Sequence, residues 1–316
     1  MRLYKGFAFG FCFTLSLCLA GCLRNSSISQ KLPDSEIIFQ EMMNRRPYTL
    51  GFIQSDGSDY QKIVLPENFV KPFWSSDQSI LYGLSNPVGQ PPYEFMGYPA
   101  YWDMKNGSFK RCDRNLPYFG QIEGYDDLSS NDEVLLYNVS EIILFDMSTC
   151  ERMETLVDFA DRTGEYAISG FSYFPDTQEL LYGRFTVPYD TREYALIKLN
   201  IDTGEQTKLA EGINPAWSPD GEQIAYIGAD GLYVIDRNGK QSKQLISEQF
   251  FDAHSAGGPA LDTSQLRWSQ DGNWLVYHIC VDEICEIDSA EIYKVRESDG
   301  LSIKIFAGGK FPTWKP

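Results

Sequence analysis

Residues 217–226 read Trp217-Ser218-Pro219-Asp220-Gly221-Glu222-Gln223-Ile224-Ala225-Tyr226. Pro at the second position and Gly at the fourth of Ser218-Pro219-Asp220-Gly221 suit a type I turn. An aromatic anchor precedes the turn and a short apolar run follows it, as expected of strands buried between packed sheets. The phrase returns as Trp268-Ser269-Gln270-Asp271-Gly272 before Leu275-Val276-Tyr277, and as Trp74-Ser75-Ser76-Asp77 before Ile80-Leu81-Tyr82. Weaker copies are Leu128-Ser129-Ser130-Asn131 before Leu135-Leu136-Tyr137, and Tyr173-Phe174-Pro175-Asp176 before Leu180-Leu181-Tyr182. Phe311-Pro312-Thr313-Trp314 opens a last copy. The anchors at 74, 128, 173, 217, 268 and 314 stand 44 to 54 residues apart, the period of a four-stranded propeller blade.

A second turn closes each unit after an alternating strand. Asp236-Arg237-Asn238-Gly239 follows Leu232-Tyr233-Val234-Ile235, and Asp202-Thr203-Gly204 follows Leu196-Ile197-Lys198-Leu199. Asn-Gly and Asp-Gly steps supply the positive φ angles that tight hairpins need. Two hairpins per repeat make a four-stranded antiparallel sheet that must stack on neighbours to bury both faces. The sixth anchor has no strands after it. Ile37-Ile38-Phe39, Tyr48 to Gln54 and Tyr60 to Leu65 read as the missing ones. The fold expected is therefore all-β: a six-bladed β-propeller of four-stranded antiparallel sheets, its last blade closed by N-terminal strands plus the C-terminal strand. Closure removes the free edges that invite aggregation and requires a buried Trp314. Trp74, Tyr173, Trp217, Trp268 and Trp314 are the structural anchors. The best helix signal, Asp158 to Glu165, is a charged connector.

The N-terminus reads differently. Arg2 and Lys5 precede an uncharged stretch from Gly6 to Ala20, the length of a signal-peptide core and short for a membrane span. It ends in Leu19-Ala20-Gly21-Cys22, which resembles the bacterial lipobox. The resemblance implies cleavage before Cys22, a diacylglyceryl thioether on that residue and usually an amide-linked third chain. More than one chain gives stable anchoring. The division expected is a signal peptide over 1–21, a polar flexible tether over 22–35 and one propeller over 36–316. Export makes disulfides possible. Cys280 and Cys285 flank a short loop within bridging distance. Cys112 and Cys150 fall in adjacent blades at opposite ends of their strands, and both a bridge between them and a pair of buried thiols stay open.

The formal net charge is −17, and loss of residues 1–21 with Arg2 and Lys5 takes it to −19. Bulk electrostatics therefore exclude nucleic acid and anionic lipid as partners. The chain has two histidines, His254 and His278. It has no Gly-x-Ser-x-Gly elbow, phosphate loop or His-Glu-x-x-His pair. No catalytic residue, metal ligand or cofactor is assigned. His278 reads as a structural residue at a strand end. Asp77, Asp176, Asp220 and Asp271 read as turn formers. Three insertions offer binding loops on a rigid scaffold: Ser85 to Tyr101 with Tyr93, Phe95 and Tyr98, Thr186 to Glu193 with Tyr189, and Glu248 to Thr263 with Asp252 and His254.

The run from Pro215 to Tyr226, with Leu232 to Gly239 after it, resembles the repeat of TolB-type (WD40-like) propellers. The resemblance is close over 213–247, good over 264–307 and weaker in the first three blades. It implies the propeller fold and says little of activity. TolB itself is a periplasmic protein of the Tol–Pal envelope system. It carries an α/β domain before its propeller and binds a peptidoglycan-associated lipoprotein, and this chain has no room for that extra domain. The function expected is a membrane-anchored, extracytoplasmic scaffold in the bacterial envelope that binds an unknown protein or peptide and is not an enzyme. The alternatives are a glycan-acting lyase or hydrolase, or a small-molecule or cation-binding sensor, using the propeller channel.

Overall fold

A computed structural model describes residues 34–42, 48–64, 68–75, 77–86, 97–112, 119, 121–124, 133–137, 140–158, 166–186, 193–250, 265–281 and 290–316. The strands fall into six antiparallel sheets of four, the blades of a six-bladed propeller. Blade 1 opens with Asn68–Trp74, blade 2 with Gln121–Gly124, blade 3 with Tyr166–Phe174, blade 4 with Ile213–Trp217 and blade 5 with Arg267–Trp268. Blade 6 is composite: Gly309–Trp314 pairs with Ile37–Met42, and Tyr48–Ile53 and Gln61–Val64 complete the sheet. Ile37 lies opposite Trp314 and Ile38 opposite Thr313, so the C-terminal strand pairs with the N-terminal one and closes the ring.

The core is distributed in the same way. Six apolar clusters form among the described residues, one at each interface between neighbouring blades. The cluster between blades 4 and 5 contains Ile227, Leu232, Leu275 and Tyr277; the one joining blades 5 and 6 contains Val276, Ile292, Ile37 and Phe39. Alternation along each strand sends successive side chains to opposite interfaces. Ile224 and Tyr226 face blade 3, while Ala225 and Ile227 face blade 5.

The repeated turn has one chemistry. The Ser218 Oγ accepts the Gln223 N–H at 2.9 Å and donates to Asp220 at 2.6 Å. The Ser269 Oγ accepts from the Trp274 N–H and donates to Asp271, and Ser75 does the same with Ile80 and Asp77. The Gly221 N–H donates to the Ser218 carbonyl at 2.9 Å, closing the turn expected there. In blade 3 a 3-10 turn, Pro175–Thr177, takes its place.

Three expectations need correction, and one open pairing is answered. Trp314 is half-buried rather than buried, because one side of it faces an axial cavity. Cys112 and Cys150 are joined in a disulfide, with Cα atoms 5.3 Å apart. The outer strand before Cys112, Ser108–Arg111, is only four residues long. The chain has therefore moved little from its preceding turn when it meets the Asp146–Cys150 turn of blade 2, where Lys110 also donates to the Met147 and Ser148 carbonyls. His278 lies inside the strand Trp274–Cys280, opposite Ile292 and fully buried, not at a strand end. Ile279 and Cys280 prolong the apolar run past it. Asp158 is the last residue of a strand, Glu151–Asp158, rather than the start of a helical connector; 159–165 lie outside the described residues.

Candidate functional site

The first strands of neighbouring blades pack on one another around the axis and run the same way, those of blades 1, 4, 5 and 6 ending at their tryptophan anchors and that of blade 3 one residue past Tyr173. At that end opens a cavity of about 420 Å³. Trp74, Tyr173, Trp217, Trp268 and Trp314 all line it, one from each of five blades. The anchors are tied together across the blades. The Trp268 Nε1 donates to the Ala216 carbonyl and the Trp314 Nε1 to the Arg267 carbonyl, both at 3.1 Å. The Trp217 backbone N–H donates to the Ser172 Oγ at 3.1 Å. In each case the acceptor stands immediately before the anchor of the preceding blade. The rim is thus a rigid aromatic collar, with exposed Asp176 and Gln270 on its lip and Arg267 in its wall.

Beneath the collar the first strands are kinked by a recurrent bulge. Register shifts fall between Val70 and Phe73, Ile168 and Phe171, and Ile213 and Ala216, and opposite Ile38 and Gln40 in blade 6. Lys71, Gly170, Asn214 and Phe311 hold positive φ angles of 54°, 137°, 49° and 51° there. Each stands three residues before its anchor, and in three of the four a proline follows. A bulge re-aims side chains, and these meet near the axis. The Lys71 Nζ lies 5.0 Å from the centre of the Phe311 ring, which also packs on His278. Gly170 and Asn214 line a small void with Gln265 and Arg267.

This interior is rich in cations. Lys71 is 8% exposed and Lys310 fully buried. Burial, then the charges of Arg267 and Lys310, pushes Lys71 down to about 7. Burial, then Lys310 and Lys71, pushes His278 down to about 3, so its imidazole is neutral at ordinary pH. The lip carries the opposite sign. Hydrogen bonds from Ser79 first and then Ser75 hold Asp77 at about 2. Ser218 and Glu222 hold Asp220 below the usual carboxylate range, and Ser269 and Asn273 do so for Asp271.

The described strand ends that flank the anticipated binding loops lie at the other end. Tyr98 starts the third strand of blade 1, pairing with Ser85, and this edge lies away from the aromatic collar. The strand ends joined by 187–192 in blade 3 and by 251–264 between blades 4 and 5 also face away from the collar. Tyr93, Phe95, Tyr189, Asp252 and His254 lie outside the described residues, as does the lipidation residue Cys22. Cys280 is disulfide-bonded; Cys285, its expected partner, lies outside the described residues. Among the described residues, no three His, Cys, Asp or Glu side chains come together to hold a metal ion. No described helix is long and apolar enough to cross a membrane.

Sequence reasoning missed the axial bulges. Their signal is the run Lys71-Pro72-Phe73-Trp74, Asn214-Pro215-Ala216-Trp217 and Phe311-Pro312-Thr313-Trp314, a proline two residues before the anchor. Proline in a first strand is tolerated where the ladder is already broken.

No family model and no curated protein matches the sequence. Among solved structures, TolB from Acinetobacter baumannii is similar at a TM-score of 0.58 and 15% identity, over 89% of this chain and 67% of that one. A TolB candidate from Agrobacterium tumefaciens is similar at 0.56 and 14% identity, over 89% of this chain and 98% of that one. The calcium-binding protein regucalcin, also from Agrobacterium tumefaciens, follows at 0.51 and 14%, over 75% of this chain and 72% of that one. The likeness is one of fold: this chain is a β-propeller similar in fold to the TolB proteins.

Proposed function

We propose that this chain is a non-enzymatic docking platform of the bacterial envelope, tethered outside the cytoplasm by lipid on Cys22, which receives a protein or peptide segment at the aromatic collar. The observation that carries the reading is the mouth itself: about 420 Å³ of open cavity walled by anchors from five blades. A recess of that size takes a few side chains, and Trp and Tyr offer large contact area with little conformational freedom to lose. The collar is held by bonds between blades, so docking needs no rearrangement of the ring. The lipobox match supports the tether, and the likeness in fold to TolB proteins supports a scaffold.

The test is a photo-crosslinking amino acid placed at Gln270, on the lip, and separately at Lys208, on an outer strand of blade 3. The reading expects a discrete crosslinked protein from Gln270 in intact cells and none from Lys208. No product at Gln270, or the same products at both positions, defeats it. Cys22→Ser tests the tether: the protein should leave the membrane fraction.

A further inference from the structure

The chain enters the propeller at the mouth. Ile37 lies opposite Trp314, so the strand Ile37–Met42 starts at the collar and runs away from it. The residues just before it are pinned there. The Lys315 N–H donates to the Glu36 carbonyl at 2.8 Å, and the Lys315 Nζ stands 3.4 Å from the Asp34 carboxylate. The Gln54 Nε2 donates to the Asp34 carbonyl at 2.9 Å, and the Ser55 N–H to the Glu36 carboxylate at 2.7 Å. Lys315 and Pro316 are themselves part of the cavity wall, and the Gln78 Nε2 of blade 1 donates to the Pro316 carbonyl at 2.6 Å. The root of the N-terminal segment is thus built into the lip. Twelve residue steps separate Asp34 from Cys22. A chain covers at most about 3.6 Å per residue, so by any path Asp34 stands no more than about 43 Å from the lipidated residue. The far ends of the blades are held less closely. The hairpin after Gln223–Gly228 in blade 4 lies about 20 Å from the collar end, at about 3.3 Å per strand residue.

We propose that the lipid anchor presents the collar to the membrane, so that the segment it receives belongs to a protein of that same membrane, at a height within about 45 Å of the bilayer. This rests on the tether and the collar docking argued above. The blades cannot enter the bilayer. With the collar turned outward, the tether has to run back past a whole blade, spending about 20 Å of its reach before it meets the lipid. With the collar turned inward it spends none, and more conformations stay open to it. Anchoring also raises the effective concentration of a partner confined to the same surface, and does nothing for a soluble one.

The test places the lipidated full chain in neutral phosphatidylcholine vesicles with an energy acceptor on a trace of the headgroups. A donor dye on a genetically placed amino acid is compared at Gln270, on the lip, and at Ala229, in the far hairpin, both exposed. Transfer from Gln270 should exceed that from Ala229 about twofold or more, given the length of a blade strand between them. Inserting about thirty Gly and Ser residues after Asn25 should bring the two values together. Equal transfer with the natural tether, or more from Ala229, overturns the orientation. No partner is needed for this measurement, so its result is independent of collar docking; a Cys22→Ser protein that stays on the vesicles defeats the tether instead. In cells, the crosslink from Gln270 should fall about tenfold or more in Cys22→Ser. An undiminished product from the released protein overturns a partner of the same membrane. No product even from the anchored protein defeats collar docking, and the vesicle measurement still decides the orientation.

Discussion

The Trp314 indole Nε1 donates to the Arg267 carbonyl at 3.1 Å, so the anchor of the last blade is fastened to the residue just before the anchor of the fifth. The bond repeats the one from Trp268 to Ala216. It carries the collar onto the strand Gly309–Trp314, whose pairing with Ile37–Met42 is the seam where the two ends of the chain meet.

Trp314→Ala should loosen that seam. The side chain is half-buried, and the substitution removes both its packing and its bond. Urea unfolding should show a loss of about 2–4 kcal/mol, toward the lower part of the range for a Trp truncated in a core. A midpoint unchanged from wild type means that the seam does not hold the ring.

Joining Cys112 to Cys150 closes a loop across 38 residues between blades 1 and 2. The paired change Cys112→Ser with Cys150→Ser should cost about 2–4 kcal/mol, chiefly by freeing the unfolded chain. Differential scanning calorimetry of oxidised wild type against the double variant measures it, and identical transitions refute it.

Ser218→Ala strips the turn of two bonds at once, leaving the Gln223 N–H and the Asp220 carboxylate without their partner. A loss of about 1–2 kcal/mol is expected. Ser218→Thr keeps the hydroxyl and should recover most of it in the same unfolding assay.

Acid should reveal His278. Its folded pKa lies near 3, depressed by burial and by the facing Lys310 and Lys71, against about 6.5 in the unfolded chain. Between those values the unfolded state binds a proton that the folded state refuses, so the unfolded state gains as pH falls. The stability present above pH 6.5 is lost progressively toward pH 3. His278→Gln should flatten the stability profile across that window while leaving the slope above pH 7 alone. Parallel profiles for the two proteins run against it.

Much of the ring was legible because its signals are local and repeated. Trp217 and Trp268, their Ser-x-Asp turns and the Gly residues after them mark the start of each sheet, and the lone anchor at Trp314 has to find its strands at Ile37 and Tyr48. The collar was harder to see. Anchors some 45 residues apart converge only through the rotation of each blade about the axis, which no single repeat records. The bulges at Lys71, Asn214 and Phe311 break the alternation on which strand reading depends. Attention to long loops favoured Tyr98 and its neighbours, whereas the antiparallel order of the strands puts the strand ends flanking those loops opposite the cavity. The pairing of Cys112 with Cys150 stayed open because the strand before Cys112 stops after four residues, a length that composition does not reveal.

A lysine on one blade repeatedly reaches over the outer hairpin of the next: Lys110 to the Met147 and Ser148 carbonyls, Lys198 to that of Arg237, Lys243 to that of Ser298. Every acceptor named here is a main-chain oxygen, present whatever residue occupies the site. Glu297 adds its carboxylate to Lys243 and Arg237 pairs back to Glu179, yet the main-chain bonds themselves survive any change of side chain at the receiving hairpin tips, whereas loss of the lysine removes the latch.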